Sequence, residues 1–365
     1  MISHPAAAPP PATASVVRIT GPRQVELAAT QPLSVGPGQV RLRTLYSGVS
    51  TGTELTSFLG TNPNLHRSWD PERRLFAAGG SGAGYPVTGF GYSEVGEIVE
   101  IGPDVTGFEP GQRVWGIWGH RSDGVLPAAT AAGQVLPPSV LPTAGVFARV
   151  GAVALNAVLE ADVHVGETVA VFGQGVIGLL VTALAKLNGA VVVAVDARPE
   201  RLDAAAAIGA DVLVDASRES AAELVRELTE QRGADVCIEI SGSYAALREA
   251  IRTCAFSSRV VAAGFYQGEA TALALGEEFH HNRVEVVASQ ISGPPPRLAH
   301  RWSRERLHRG FMQLVTSGRL DPLPLITDIV PAARVQDAFT ALASGDPGTL
   351  QVVLDFTGLQ PGVSA

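Results

Sequence analysis

Cysteine is almost absent from this sequence: Cys237 and Cys254 are the only two in 365 residues. That count excludes a disulfide framework and a structural zinc site built on four cysteines. Cys237 lies in the apolar run Val236-Cys237-Ile238 and reads as a small buried hydrophobe. Charge is also scarce. Only 17% of residues are charged while 46% are hydrophobic, which excludes a disordered or solvating chain. Basic residues are outnumbered 27 to 35, and the net charge of −8 argues against a nucleic-acid binder. No uninterrupted apolar run reaches the roughly 18 residues of a membrane span, so no membrane association is expected. The first 15 residues are rich in Ala and Pro and have no basic stretch. They read as a flexible leader instead of a signal peptide, with the cytoplasm as the expected compartment.

What is present divides into zones, and the length suits two domains. From residue 16 to about 150 the chain is rich in Val, Gly and Pro, with short runs that read as strands. Gln39 to Leu45 alternates, placing Val40, Leu42 and Thr44 on one face and Gln39, Arg41 and Arg43 on the other. That pattern predicts a half-buried strand. Val95 to Gly102 is a second candidate, and Gly102-Pro103-Asp104 and Glu109-Pro110-Gly111 supply turns. From 154 to 290 short apolar strands alternate with helical segments such as Ile177 to Leu187 and Ser220 to Gln231. The strands are Thr168 to Phe172, Val191 to Val195, Val212 to Val214, Asp235 to Glu239, Arg259 to Ala263 and Val284 to Ala288. This alternation predicts an α/β fold with a doubly wound parallel sheet. The last zone, 291–365, holds an amphipathic segment and what reads as an isolated strand, Gln351 to Phe356.

One motif carries chemistry. Gly173-Gln174-Gly175-Val176-Ile177-Gly178 matches G-x-G-x-x-G, follows a buried strand and opens a helix. The three glycines serve different ends. Gly173 permits a tight turn, Gly175 leaves room for a pyrophosphate, and Gly178 allows close helix–strand packing. The helix N-terminus would present free N–H groups to the phosphates. Asp196 then ends the second strand, where a carboxylate accepts from ribose hydroxyls and repels a 2′-phosphate. NAD is therefore expected over NADP, with Arg198 and Arg201 nearby pulling the other way.

From about residue 16 to 356 the chain resembles the medium-chain dehydrogenase/reductase superfamily. The residues that carry the likeness are Tyr46-Ser47-Gly48-Val49-Ser50, Gly91-Tyr92-Ser93-Glu94-Val95-Gly96, Pro110-Gly111-Gln112-Arg113-Val114, the Gly173 loop, and Gly233 to Glu239. The resemblance implies a GroES-like β-rich catalytic domain, 16–153 with 291–365, interrupted by a Rossmann NAD-binding domain, 154–290. It also implies an active site in the cleft between domains and a homodimer paired through the last Rossmann strand. Ser50-Thr51-Gly52-Thr53-Glu54, Tyr85-Pro86 and Phe279 to Arg283 look like the zinc-free members related to bacteriochlorophyllide dehydrogenases. Zinc-dependent members carry Cys where this chain has Ser50 and His where it has Tyr92, and their third ligand falls near Arg149. An Arg cannot ligate zinc and a neutral Ser or Tyr is a poor ligand, so no metal is expected. Roughly 20 extra residues between the first two ligand positions read as a loop that lines or covers the cleft.

Without a metal, hydrogen-bond donors and a proton shuttle must handle the charge that hydride transfer creates on a carbonyl oxygen. Tyr92 is the first choice for acid/base, with Arg149 as a cation that could lower its pKa or bind an anionic substrate. Ser50, Glu54 and His120 are the other catalytic candidates, each with a structural alternative: a backbone-bonded hydroxyl, a salt bridge, a loop histidine. Thr53, Trp118 and Arg149 are placed on the substrate side. Gly173 to Gly178, Asp196, Arg201, Ser241 and Phe265 are placed on the cofactor. His280 and His281 read as residues capping the last Rossmann strand, and Arg301 to Arg306 as a solvated helix face. The expected function is NAD-dependent interconversion of a small-molecule secondary alcohol and its ketone. Reduction of an activated double bond is the alternative within enzymes, and a non-catalytic NAD-binding redox sensor the alternative outside them.

Overall fold

The computed structural model describes residues 13–77 and 81–359. It divides into two compact units. One is made of residues up to Arg149 with those from Val315 on, and the other is Val150–Leu314. Residues 1–12 of the expected leader lie outside the described residues, and Ala14 and Ser15 already belong to the first strand.

The first unit contains β1 (Ala14–Gly21), β2 (Gln24–Thr30), β3 (Gln39–Gly48), α1 (Thr53–Leu59), β4 (Trp69–Asp70), β5 (Leu75–Phe76), β6 (Glu94–Ile101), β7 (Arg113–Gly116), β8 (Asp123–Pro127) and α2 (Ala128–Ala132). α3 (Phe147–Ala161) begins at its end. β1 and β2 form a hairpin, and β4 and β5 form a second, very short one. The extra segment after Ser50 is thus partly ordered by α1, a short 3-10 turn at Pro63–Leu65 and this hairpin, not a plain loop. β3 lies at the heart of the main sheet, paired antiparallel with both β6 and β8.

That central position overturns the half-buried reading of β3. Val40, Leu42 and Thr44 are buried, but so is Arg41 on the opposite face. Its guanidinium is held at 2.8 Å by Glu100 of β6, the residue opposite it in register. A buried arginine is tolerated only with such a partner.

The second unit holds the rest of α3, then β9 (Thr168–Phe172), α4 (Val176–Leu187), β10 (Val191–Asp196), α5 (Pro199–Ala207), β11 (Val212–Asp215), α6 (Ala221–Leu228), β12 (Ala234–Glu239), α7 (Tyr244–Thr253), β13 (Cys254–Ala262), β14 (Glu285–Ala288) and most of α8 (Arg304–Thr316). The strands form one parallel sheet in the order β11-β10-β9-β12-β13-β14. This is the doubly wound architecture expected from the strand–helix alternation, with order reversing beside β9. Cys237 and Cys254 are both fully buried in its core.

The chain returns to the first unit later than the sequence suggests, at Val315 instead of 291. The reason is packing. A Cβ at Gly151 of α3 would lie 2.2 Å from the Phe311 ring of α8, so the two helices meet at a glycine. Leu307 of α8 packs with Ala152 in the same cluster. The apolar stretch Pro142–Ala161 is long enough to span a membrane by length and composition, but most of it is buried inside the protein. The final segments are β15 (Ile326–Pro331), α9 (Val335–Ser344) and β16 (Gln351–Asp355). β16 is not isolated, as its sequence suggests. It pairs parallel with β15 and antiparallel with β3, so segments from both ends of the chain share one sheet.

Candidate active site

In the second unit the glycine loop turns between β9 and α4. Gly173 has φ +90°, and a Cβ there would come within 2.8 Å of the Ser241 side chain. A Cβ at Gly178 would lie 1.8 Å from the Gly173 carbonyl oxygen, so only glycine lets α4 sit this close to the loop. Around Gly175 a Cβ would meet nothing, which leaves its backbone open to a ligand. α4 opens at Gly175 without a side-chain cap, so Val176, Ile177 and Gly178 supply first-turn amides suited to an anion. Beside the loop is a cavity of about 720 Å³ lined by Gly173, Asp196, Ser217, Arg218, Ser241 and Arg252, among others. A glycine cradle, an uncapped helix start and an adjoining cavity with a carboxylate fit a dinucleotide.

The Asp196 carboxylate is partly occupied by the fold. One oxygen accepts from the Gln174 N–H at 2.6 Å and the other from the Arg198 N–H at 3.0 Å. Gln174 itself is fully buried, with its side chain bonded to the Val171 carbonyl and to Thr182. The Gln174 side chain is thus turned into the unit, and its backbone is what the residue presents at the loop. Arg201 lies in the first turn of α5 and is half-buried. Ser241 and Phe265 lie in neighbouring loops, after β12 and β13. The Ser241 loop is pinned by Glu239, whose fully buried carboxylate accepts from the N–H groups of Ser241 and Gly242 and from the hydroxyls of Ser241 and Tyr266. Burial pushes the Glu239 carboxyl up, against the pull of the donors around it.

In the first unit, Ser50, Tyr92 and Arg149, which the resemblance puts at zinc-ligand positions, come together. Tyr92 is half-buried, and its phenol shares side-chain hydrogen bonds with Ser50 and Thr53. The Arg149 guanidinium lies 6.0 Å from the centre of the Tyr92 ring. The expectation that a cation lowers the Tyr92 pKa is corrected here. Burial, and after it the Glu54 carboxylate, raise the phenol well above its ordinary value, and Arg149 is too weak a counterweight. Tyr92 therefore stays a protonated donor. As a donor set for zinc, two neutral hydroxyls and a guanidinium do not fit. Among the described residues no three His, Cys, Asp or Glu are grouped to hold a metal ion.

Behind these hydroxyls is a buried polar network. Glu54, in the first turn of α1, is 3% exposed. Its Oε2 accepts from the Ser50 N–H at 2.9 Å and meets His120 Nε2 at 2.9 Å. Its Oε1 is buried without a hydrogen-bond partner. His120 Nδ1 is 2.6 Å from Ser47 Oγ, which lies 3.1 Å from Glu94 Oε1. Glu94 Oε2 accepts from the Trp118 N–H at 2.9 Å. Burial alone would lower the His120 pKa, but Glu54, by charge and hydrogen bond, and then Glu94 raise it. Burial raises Glu94, only partly opposed by His120.

Ser47 and Glu94 are site residues that the sequence does not single out. They are directly opposite in the β3–β6 register; β6 carries three glutamates, and register and full burial are what set Glu94 apart. Trp118, placed on the substrate side by the sequence, is partly buried. Its indole packs against Gly116 and Gly124 beside the first unit's core and donates to Thr44 Oγ1 at 2.9 Å. His280 and His281 are exposed at the end of the helical segment before β14, and Arg301, Arg304 and Arg306 are exposed around the start of α8.

The chain is similar to known proteins. A family model described as "Zinc-binding dehydrogenase" matches residues 176–303. D-guloside 3-dehydrogenase of Escherichia coli (strain K12) is 29% identical over 335 residues, covering 90% of this chain and 95% of that protein. L-threonine 3-dehydrogenase of Sinorhizobium fredii is 30% identical over 297 residues, covering 73% and 81%. The crystal structure of 2R,3R-butanediol dehydrogenase from Bacillus subtilis superposes with a TM-score of 0.75 at 21% identity, over 94% of this chain and 99% of that one. With the glycine cradle in a parallel α/β sheet and a β-rich unit built from both ends of the chain, the protein belongs to the medium-chain dehydrogenase/reductase superfamily of NAD(P)-dependent oxidoreductases.

Proposed function

We propose that this chain is a zinc-independent, NAD(H)-dependent oxidoreductase that interconverts a secondary alcohol and a ketone, with a sugar or polyol hydroxyl as the alcohol. One observation carries the zinc-independent reading. Ser50, Tyr92 and Arg149, at or near the positions where the resemblance expects zinc ligands, gather into one hydroxyl–guanidinium cluster on which Glu54 acts. The substrate class rests on relatives named for a guloside, a butanediol and threonine, all bearing secondary hydroxyls.

Bound at the Gly173 loop, the nicotinamide cofactor would supply or accept the hydride. The chain's own residues handle the oxygen and its proton. Tyr92, held protonated by burial, donates to the substrate oxygen where negative charge develops. Ser50 and Thr53 fix the direction of that phenol. Glu54 offers an unpartnered buried oxygen as proton acceptor, and Arg149 only partly counters its charge at Tyr92. On the cofactor side, Asp196 favours NAD over NADP.

Turnover tests this reading: purified protein, NAD and a panel of glycosides, polyols and simple secondary alcohols, followed by NADH absorbance. Formation of ketone with NADH is expected. Reduction of enones or quinones, with no alcohol oxidised, would contradict it in favour of double-bond reduction. Homodimerisation through the edge strand β14 is part of the same proposal, and a monomer in sedimentation velocity would contradict that part.

A further inference from the structure

We propose that Glu54, His120, Ser47 and Glu94 form a buried proton wire that takes up the proton released on alcohol oxidation and returns it on ketone reduction. Ser47 and Glu94 act in it as relay and positioning residues. The proposal rests on the alcohol-oxidation reading above.

The hydrogens in the network can be counted. Three contacts link the four groups: Glu94 Oε1 to Ser47 Oγ, Ser47 Oγ to His120 Nδ1, and His120 Nε2 to Glu54 Oε2. Each contact needs one hydrogen, and the Ser47 hydroxyl supplies one. The other two must belong to Glu94, the imidazole and Glu54. Three arrangements satisfy this without moving a heavy atom. Both protons can sit on His120, between two carboxylates. One can pass through Ser47 to Glu94, or one can cross from Nε2 to Glu54. Every arrangement has a net charge of −1. The wire therefore moves a proton between Glu54 and Glu94, and Ser47 can relay it because its hydroxyl both donates and accepts.

The network also has room for one more proton. Glu54 Oε1 is buried and unpartnered, on the carboxylate whose charge reaches Tyr92. In alcohol oxidation the O–H bond breaks and its proton goes to Glu54 Oε1, leaving negative charge on the oxygen. The C–H bond then breaks, C=O forms, and its electron pair leaves with the hydride, which a bound nicotinamide would accept. Uptake changes the buried charge from −1 to zero while all three contacts keep their hydrogens. In a low-dielectric interior the neutral state is the less costly one. His120, Ser47 and Glu94 are all 1% exposed or less, and the Phe90 ring packs edge-on against the imidazole. The charged and titratable groups acting on His120 are Glu54 from α1 and Glu94 from β6, and Glu54 acts in turn on Tyr92, as Arg149 does.

Nitrogen-15 NMR of the histidine-labelled full chain tests the wire without any substrate. In the wild type, His120 is expected to carry protons on both ring nitrogens above pH ~6.5, the ordinary histidine value. Glu94→Gln keeps an acceptor for the Trp118 N–H but removes the charge. It is expected to move the His120 titration down by about one pH unit or more. Ser47→Ala should move it the same way. With an alcohol that is turned over, Glu94→Gln should shift the ascending limb of kcat by the same interval and leave KM unchanged. A His120 with bare Nδ1 and a titration indifferent to both variants would overturn the wire, whatever the substrate. So would a shifted His120 titration with an unmoved kcat profile, because the network would then only be structural. Coupled titration with no alcohol oxidised would instead remove the alcohol-oxidation reading, and the wire's purpose with it. If Ser47→Ala fails to fold, the wild-type ring protonation and Glu94→Gln decide the matter.

Discussion

Replacing Tyr92 with Phe removes one hydroxyl and leaves the ring beside Arg149 in place. In the folded protein that hydroxyl is bonded with Ser50 and Thr53. Losing two neutral hydrogen bonds costs about 1–3 kcal/mol of stability, which a chain of this size tolerates. The catalytic cost is larger. A positioned donor to a developing oxyanion contributes about 3–4 kcal/mol, so kcat should fall roughly 10²–10³-fold. Affinity for NAD should not change, because the Gly173 loop is built from other residues. The pH profile gives a second check. The Tyr92 phenol is raised above its ordinary value, so it does not ionise at neutral pH or in the range just above. The substitution should therefore lower kcat across that range without removing a limb of the profile. Stopped-flow NADH formation, a melting curve and a pH series make up the assay. A kcat within a few-fold of wild type, in a protein that melts normally, would refute the donor role.

The glycine loop gives a paired prediction. Gly178→Ala should destabilise the fold, because its Cβ would sit 1.8 Å from the Gly173 carbonyl. Gly175→Ala should melt like wild type yet bind NAD more weakly by calorimetry, because its Cβ meets no protein atom and would crowd the ligand instead. Asp196→Asn keeps acceptors for the Gln174 and Arg198 N–H groups while removing the charge, and should raise affinity for NADP relative to NAD. Unchanged relative affinity would remove Asp196 from cofactor choice. Glu249 accepts from Ser220 and the Ala222 N–H at the start of α6 and pairs with Arg252. Burial would raise its pKa, but these partners hold it below the ordinary glutamate value. Its stabilisation is therefore complete above the unfolded-state value and lost as pH falls through the lower folded one. Glu249→Gln should cost about 1–2 kcal/mol at neutral pH and nothing in strong acid, by denaturant titration.

Much of the fold is legible in the sequence because its signals are local. The apolar run from Thr168 to Phe172 marks both ends of β9, and Ser220 caps α6 where the pattern places a helix start. What escapes depends on contacts distant in sequence. Arg41 looks like a solvent-facing strand residue until β6 brings Glu100 to it. β16 looks isolated because its partner β3 lies near the other end of the chain. The return to the first unit is hidden because the Gly151–Phe311 packing leaves no periodic trace. The candidate site divides the same way. Ser50 and Tyr92 stand out because they replace residue types expected from the resemblance. Ser47 and Glu94 become visible only once β3 and β6 are in register. The direction of the Tyr92 pKa is not legible either, because burial is a property of the fold and outweighs a single nearby arginine.

The central claim is alcohol oxidation by a hydroxyl cluster in place of a metal. It is tested most directly by measuring zinc content and turnover on the same samples, before and after exhaustive chelator dialysis. The account predicts that NADH formation from the best alcohol persists when zinc is far below one per chain, and that added zinc does not raise it. A rate that falls in proportion to the zinc removed and returns when zinc is restored would contradict it.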